Sequence, residues 1–302
     1  MGKDDRLVTV ATLLQRNYIV SWVDPILDAI PHTTGIGYQP GAKAAAEPTA
    51  LATLAFLAHG RHESAVIAAA QLAEMQQANG EVGVRTGEET PGWPTSLAIV
   101  AWHAIESVPG SSSQKTNIEP AVDWLIGHRG EGVERSDNFG HNTELVGWAY
   151  AEGTHSWVEP TSFAVLALKS LSSGNHSLAR EGVSVLIDRQ LPGGGLNYGN
   201  TYVLGQLIRP HIQPTGIALL ALAGETDRSG RLEKTIAWLK RSIGPTITPL
   251  SLGWAILGLA AHQAGAPEFD EWLAGAATRV LARNRSPHKL ALLALAAKGW
   301  PR

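Results

Sequence analysis

The sequence predicts an all-α fold, an (α/α)6 toroid of six inner and six outer helices forming a single domain over residues 1–302. Three observations predict it. A proline-led apolar unit recurs six times, at Pro48, Pro94, Pro160, Pro214, Pro249 and Pro287. A more amphipathic segment follows every unit but the last, so the pattern is one of stacked helix pairs. Finally, the last apolar segment has no polar capping repeat behind it, as an open solenoid would need. The first amphipathic segment has no apolar predecessor, and the two orphan ends can close a ring.

The clearest copy is Trp157-Val158-Glu159-Pro160-Thr161-Ser162-Phe163-Ala164-Val165-Leu166-Ala167-Leu168. Proline is tolerated in the first helical turn, where its missing N–H has no partner to lose, so each copy reads as a helix start. Three residues on stands a large apolar residue: Leu51, Leu97, Phe163, Ile217, Leu252 or Leu290. Four on stands a small one: Ala52, Ala98, Ala164, Ala218, Gly253 or Ala291. Small residues four and seven after the proline share a face and let a neighbouring helix come close. Helices apolar almost all round are buried on every side.

In chain order, Arg6–Tyr18 reads as a helix with Leu7, Val10, Ala11, Leu14 and Tyr18 on one face. A breaker-rich connection leads to Glu47, with a short helical turn at Asp24–Ile30. The first inner helix is Pro48–Ala58. The outer helices are Glu63–Gln77, Glu119–His128, Ser177–Gln190, Arg231–Arg241 and Phe269–Arg283. The last inner helix, Pro287–Lys298, is expected to pair with Arg6–Tyr18. The outer-to-inner connections Asn17–Glu47, Ala78–Trp93, Arg129–Glu159 and Leu191–Gln213 are long and fall on one rim. Long irregular segments in compact domains are usually functional. The positive ends of the inner-helix dipoles meet at the same rim.

Composition narrows the function. The formal charge is −3, with no long basic run, so no nucleic-acid partner is expected. Cysteine is absent, which removes disulfides, thiolate zinc sites and cysteine nucleophiles. Neither a signal peptide nor a transmembrane segment is read, so a cytoplasmic protein is expected. No histidine spacing suits a metal, Gly193-Gly194-Gly195 lacks the Lys-Ser or Lys-Thr of a phosphate loop, and no cofactor is expected. Trp contributes ten residues against five Tyr and four Phe. Of these, Trp102 and Trp254 read as core.

The cycle of outer helix, Gln, Gly-rich loop and inner helix resembles the repeat of squalene and oxidosqualene cyclases and of protein prenyltransferase β subunits. The stretches Leu72-Ala73-Glu74-Met75-Gln76-Gln77-Ala78-Asn79-Gly80 and Leu186-Ile187-Asp188-Arg189-Gln190-Leu191-Pro192-Gly193-Gly194-Gly195 carry the resemblance. It implies the toroid over nearly the whole chain and an isoprenoid-like apolar ligand in its central cavity. The Asp-x-Asp-Asp acid motif of the cyclases, the cysteine-containing zinc site of the prenyltransferases and the Cys-Gly-Glu-Gln segment of thioester toroids are all missing here. No catalytic residue transfers, and activity must be argued from a site.

The candidate site lies on the long-loop rim. Glu159 is the candidate general acid, a carboxyl whose pKa apolar surroundings would raise; the alternative is a simple carboxylate–dipole contact. Glu47 and Gln213 hold the same place before their prolines, where Glu is a poor helix cap. Trp93, His141, Glu144, Trp148, His155, Trp157, Asn197 and Tyr198 complete the candidate ligand-binding set. Three functions follow. The first is a terpenoid cyclase-like or prenyltransferase-like toroid that binds or transforms an isoprenoid. The second is a carbohydrate-active (α/α)6 enzyme pairing carboxyls from among Glu144, Glu152 and Glu159. The third is a non-catalytic toroid that takes a peptide or partner protein on the rim.

Overall fold

The structure is a computed structural model and describes residues 21–88, 90–136, 139–172 and 176–301. The helices in order are α1 (Val23–Asp28), α2 (Ala46–Ala58), α3 (His62–Ala73), α4 (Thr95–Ile105), α5 (Lys115–Gly127), α6 (Val158–Ser172), α7 (Ser177–Asp188), α8 (Ile212–Ala221), α9 (Arg231–Ser242), α10 (Pro249–Ala261), α11 (Phe269–Arg283) and α12 (Pro287–Lys298). A two-stranded antiparallel ribbon, β1 (Tyr202–Val203) and β2 (Gln206–Leu207), lies in the loop before α8.

The even-numbered helices form the inner ring. Each packs on the next, from α2 through α4, α6, α8 and α10 to α12, and α12 packs back on α2. The closing joint also holds a long-range bond, His59 Nε2 to the Ala294 carbonyl at 2.8 Å. The fold is therefore the (α/α)6 toroid that the repeat predicts. The expected partner of α12, Arg6–Tyr18, lies outside the described residues. The short helix α1 packs on α12 and α11. Sequence explains the two layers. Every residue of α8 from Pro214 to Ala221 is buried. The outer helix α9 buries Leu232, Thr235 and Leu239, one stripe of an otherwise charged helix.

The inner helices begin in three ways, α4 with Pro94 itself as the cap residue before Thr95. Pro249 and Pro287 are first helical residues, capped by Thr248, which accepts from Ser251 N at 3.3 Å, and Ser286, which accepts from Lys289 N at 3.5 Å. Helices α2, α6 and α8 start two residues ahead of their prolines. This corrects the expectation that Glu47, Glu159 and Gln213 stand at caps. They lie in the first turn, and the extended residues Ala45 and His211 cap α2 and α8. A proline third in the helix still sacrifices no intrahelical bond, because the first four N–H groups have no partner.

The residue after the proline fastens the rim. Thr95, Thr161 and Thr215 are fully buried, and each side chain accepts from and donates to the incoming loop. Val82 N reaches Thr95 Oγ1 at 2.8 Å, Trp148 N reaches Thr161 Oγ1 at 3.0 Å and Leu196 N reaches Thr215 Oγ1 at 2.9 Å. Thr95 and Thr161 return their protons to the carbonyls of Val82 and Trp148, while Thr215 gives its proton at 2.6 Å to the carbonyl of His211 at the loop's end. Thr49 does half of this, donating to Ile36 O at 3.2 Å. Replacing Thr215 by Val keeps the shape and strands the buried Leu196 N–H. An unmet buried donor costs about 1–3 kcal/mol. Chemical denaturation should read a loss of that size, and limited proteolysis should cut the 191–211 loop faster; a variant unchanged in both would refute the anchor.

Two glutamine–glycine segments tie one outer helix to the next, α3 to α5 and α7 to α9. Gln76 Nε2 donates to Asn117 O in α5 at 2.8 Å, and Gln190 Oε1 accepts from Thr235 Oγ1 in α9 at 2.6 Å. Gly80 (φ +92°) and Gly194 (φ +91°) then turn against those helices so closely that a Cβ would sit 2.1 Å from Pro120 O and 2.3 Å from Lys234 O. Only glycine fits both the backbone angle and the gap.

Aromatic rings cross the middle of the lumen, and a cavity of about 700 Å³ opens at the end away from the long loops, lined by Leu166, Leu220, Leu257 and Trp300. Phe163 of α6 meets Trp254 of α10 at 5.6 Å between ring centroids, and Trp254 meets Trp300 at 6.0 Å. Trp254 spans from α10 to α6, two inner helices away, so it crosses the lumen and is not packed between the layers. Trp102 is the outward-facing core residue expected, donating to Ala69 O of α3 at 3.1 Å. Among the described residues no helix is long and apolar enough to cross a membrane.

Candidate active site at the long-loop rim

The rim is uneven. Long loops precede α2, α4, α6 and α8, but only residues 243–248 and 284–286 precede α10 and α12. The wall therefore rises on the α2–α8 side, around the N-termini of those inner helices.

Glu159 lies inside this wall, 7% exposed. Tyr150 donates its hydroxyl to Oε2 of Glu159, and Gln213 Nε2 donates to Oε1 at 3.1 Å. Burial pushes its pKa up, the two hydrogen bonds oppose this, and the charge of Glu47 adds to the rise; the net shift is upward. The Tyr150 hydroxyl is itself held up by burial and by the neighbouring Glu159 charge.

Glu47 is handled the opposite way. Tyr38 donates to its Oε2 at 2.9 Å, and His288 Nε2 stands 3.3 Å from its Oε1. The His288 contact is a charge contact rather than an aligned hydrogen bond, since that nitrogen has no hydrogen-bond partner. Burial pushes the Glu47 carboxyl up, but the close contact with His288 and the bond from Tyr38 outweigh it, and the pKa falls below the ordinary value. Two buried carboxyls, on α2 and α6, thus sense each other while their surroundings drive them apart. Each is bonded by a tyrosine.

Aromatic rings wall the space. Trp93 lies edge-on to Tyr150 at 5.7 Å and stacks over Phe163 at 6.1 Å, and Tyr150 touches Trp157 at 5.7 Å. Tyr198 is partly exposed beside His211, and the charge of Glu159 helps to raise its hydroxyl pKa after burial. Behind Trp93 and Tyr150 opens a cavity of about 550 Å³ that Trp124, His128, Glu81 and Glu152 also line.

The structure therefore gathers Trp93, Trp157, Glu159, Tyr198 and Gln213 around Tyr150, with Glu47 near enough for its charge to act on Glu159. The other predicted residues lie elsewhere. Trp148 is buried beneath the rim, its Nε1 donating to Leu125 O at 2.8 Å and its ring under Arg129. Asn197 braces its own loop through Arg209 O at 2.6 Å. Glu144 and Glu152 are exposed. The carboxyl facing Glu159 is thus Glu47, 112 residues away in sequence, rather than a neighbour in the same loop.

His141 and His155 do converge, in a separate cavity of about 250 Å³ with Arg189. His141 Nδ1 pairs with Thr201 Oγ1 at 3.0 Å. Burial, then the charges of Arg189 and His155, bring the His141 pKa down to about 4. His155 is lowered by burial and by Arg189, and stacks on Trp157 at 4.7 Å.

Sequence reasoning missed Tyr38, Tyr150, Arg189 and His288. His288 had a visible signal: it fills the column that Thr49, Thr95, Thr161 and Thr215 occupy in other repeats.

No family model matches this chain, and no curated protein does. Solved structures do. A novel α-amylase from Clostridium perfringens aligns over 91% of this chain and 96% of its own at 13% identity, with a TM-score of 0.64. Cellobiose 2-epimerase from Spirochaeta thermophila aligns over 94% and 88% at 12% identity, TM-score 0.57. Salmonella α-2-macroglobulin reacted with methylamine aligns over 91% of this chain but 17% of its own, at 14% identity, TM-score 0.51. The class they define is the α/α toroid. At these identities the likeness is one of fold.

Proposed function

We propose that the protein transforms a carbohydrate at the long-loop rim, with Glu159 as the proton donor and Glu47 as the ionised partner. One observation carries the reading: two shielded carboxyls whose charges act on each other, one raised by burial and the other held ionised by His288 and Tyr38. Opposed environments of this kind separate acid from charge-stabilising roles. In glycosidic cleavage Glu159 gives its proton to the departing oxygen as the C–O bond breaks. Glu47 faces the positive charge that grows at the sugar carbon; water supplies the hydroxyl that replaces the leaving group, and its remaining proton returns Glu159 to the acid form. Trp93, Trp157 and Tyr198 offer flat apolar faces for the sugar ring. Two full-length structural neighbours with sugar-directed names support this class over an isoprenoid.

The test is a panel of malto- and cello-oligosaccharides beside linear polyprenes and their diphosphates, with products read by mass spectrometry and chromatography. Cleavage or epimerisation of a sugar is the expected result. Conversion of a polyprene alone would replace this reading with the cyclase-like one. No binding of any sugar by calorimetry would reject it.

A further inference from the structure

Beyond the carboxyl site, we infer that the cavity enclosed by His141, His155 and Arg189 is a binding site for a small oxyanion, a carboxylate or phosphate group. Three basic side chains from distant parts of the chain meet there: two from the loop before α6 and one from the end of α7. Arg189 is 5% exposed. Its Nη1 and Nη2 are used on backbone carbonyls, Gly199 O at 2.9 Å and Asn142 O at 3.5 Å. Its Nε has no hydrogen-bond partner, and neither has Nε2 of His155, although both are shielded from water. A purely structural arginine would have its buried donors met, since unmet ones are costly.

The acid nearby offsets only part of this charge, since Asp188 pairs with Arg189 while Arg231 adds a further positive charge. Asp188 Oδ2 stands 3.7 Å from Arg189 Nε, but the same oxygen accepts the Asn142 N–H at 2.9 Å. Glu131 lies at the exposed mouth beside Val133 and Phe139. On the far side, Arg231 donates to the Asp188 carbonyl at 3.3 Å and adds positive charge. Thr143 and Asn200 supply further polar edges. A space of about 250 Å³ holds a phosphate or a carboxylate head. At present the imidazoles are kept neutral by burial and by the Arg189 charge. An anion among them would reverse that balance and favour the protonated forms.

The experiment is a histidine-resolved NMR titration of the full chain. Inorganic phosphate and acetate are added separately, against sodium chloride at equal ionic strength. The expected result is a saturable upward shift of the His141 and His155 pKa values, with the other histidines unmoved. A response to acetate alone assigns the site to carboxylates, and one to phosphate alone to phosphoryl groups. If neither anion moves the pair beyond the chloride control, the inference is overturned. His155→Gln, verified as folded by circular dichroism, should lose the His141 response; a response equal to wild type would also overturn it. Should that variant fail to fold, the wild-type titration decides by itself. The carboxyl site plays no part in this readout, so the inference stands or falls apart from the sugar-converting reading.

Discussion

A Glu159→Gln variant is expected to lose about 10²–10⁴-fold in turnover, the usual worth of a general acid, while sugar affinity stays near the wild-type value. The carboxamide can keep its neighbours: its oxygen accepts from Tyr150, and its NH2 donates to Gln213 once that amide turns over. Stability separates this variant from its counterpart. The folded pKa of Glu159 lies above the unfolded one, so the folded chain binds the extra proton, and stability falls as pH rises from about 4.5 through the folded value. Glutamine removes that slope, and the variant should melt at or above the wild-type temperature near pH 8. Glu47 has the opposite sign. Its folded pKa is lowered, so its contribution is full above the unfolded value and is lost as pH falls through the folded one. Glu47→Gln should therefore destabilise at neutral pH, leaving His288 without its charge partner. Turnover should follow a bell, rising as Glu47 ionises and falling as Glu159 does. A Glu159→Gln enzyme with wild-type turnover would remove the acid role.

The ring was legible because its signal repeats. One proline followed by an apolar run is weak evidence for a helix, but six copies with the same small residues four positions on constrain the packing as well as the helices. What the repeat could not reveal is where a helix begins relative to its proline. That depends on whether the residue ahead can be extended and bonded to a loop, as Ala45 is to Ile36 O at 3.0 Å. The threonine column was visible at Thr49, Thr95, Thr161 and Thr215, yet its role needs the loop carbonyls that only the fold brings up. The site was half legible for a related reason. Glu159 stood out as a long acid beside a repeat proline, and Gln213 with it. Its electrostatic partner Glu47 comes from two inner helices away, and Tyr38 and His288 sit on either side of the ring closure. Local reading instead paired Glu159 with Glu144 and Glu152, which share its loop but are exposed. Trp254 was misplaced because an inner helix has two buried faces, lumen and core, with the same apolar composition.

The largest stability effect is expected at the joint between α8 and α10. A Cβ on Gly216 would lie 2.6 Å from both the carbonyl carbon and the oxygen of Trp254, and 2.7 Å from Ala255 N. From the other side, a Cβ on Gly258 would lie 2.3 Å from Gly216 O. The two helices meet backbone to backbone, so no side chain can rotate to make room. Overpacking a core typically costs about 1–3 kcal/mol, and Gly216→Ala should fall at or beyond the upper end because the obstacle is main chain. At about 2–4 °C per kcal/mol for larger domains, calorimetry should read a fall of about 6–12 °C. Gly275→Ala, on the outer helix α11, is the control. Its Cβ would meet only Arg279 Nη1 at 3.6 Å. There the usual preference of a helix for alanine over glycine, about 0.5–1 kcal/mol, should raise the melting temperature slightly. The two glycines lie in helices of one ring, so helix propensity alone predicts the same sign for both. Opposite signs require the close approach. Since α8 carries Gln213, which bonds Glu159, forcing α8 away from α10 should also lower turnover in Gly216→Ala. Gly275→Ala should leave turnover alone. A Gly216→Ala chain that melts with the wild type would mean that α8 and α10 do not touch main chain to main chain.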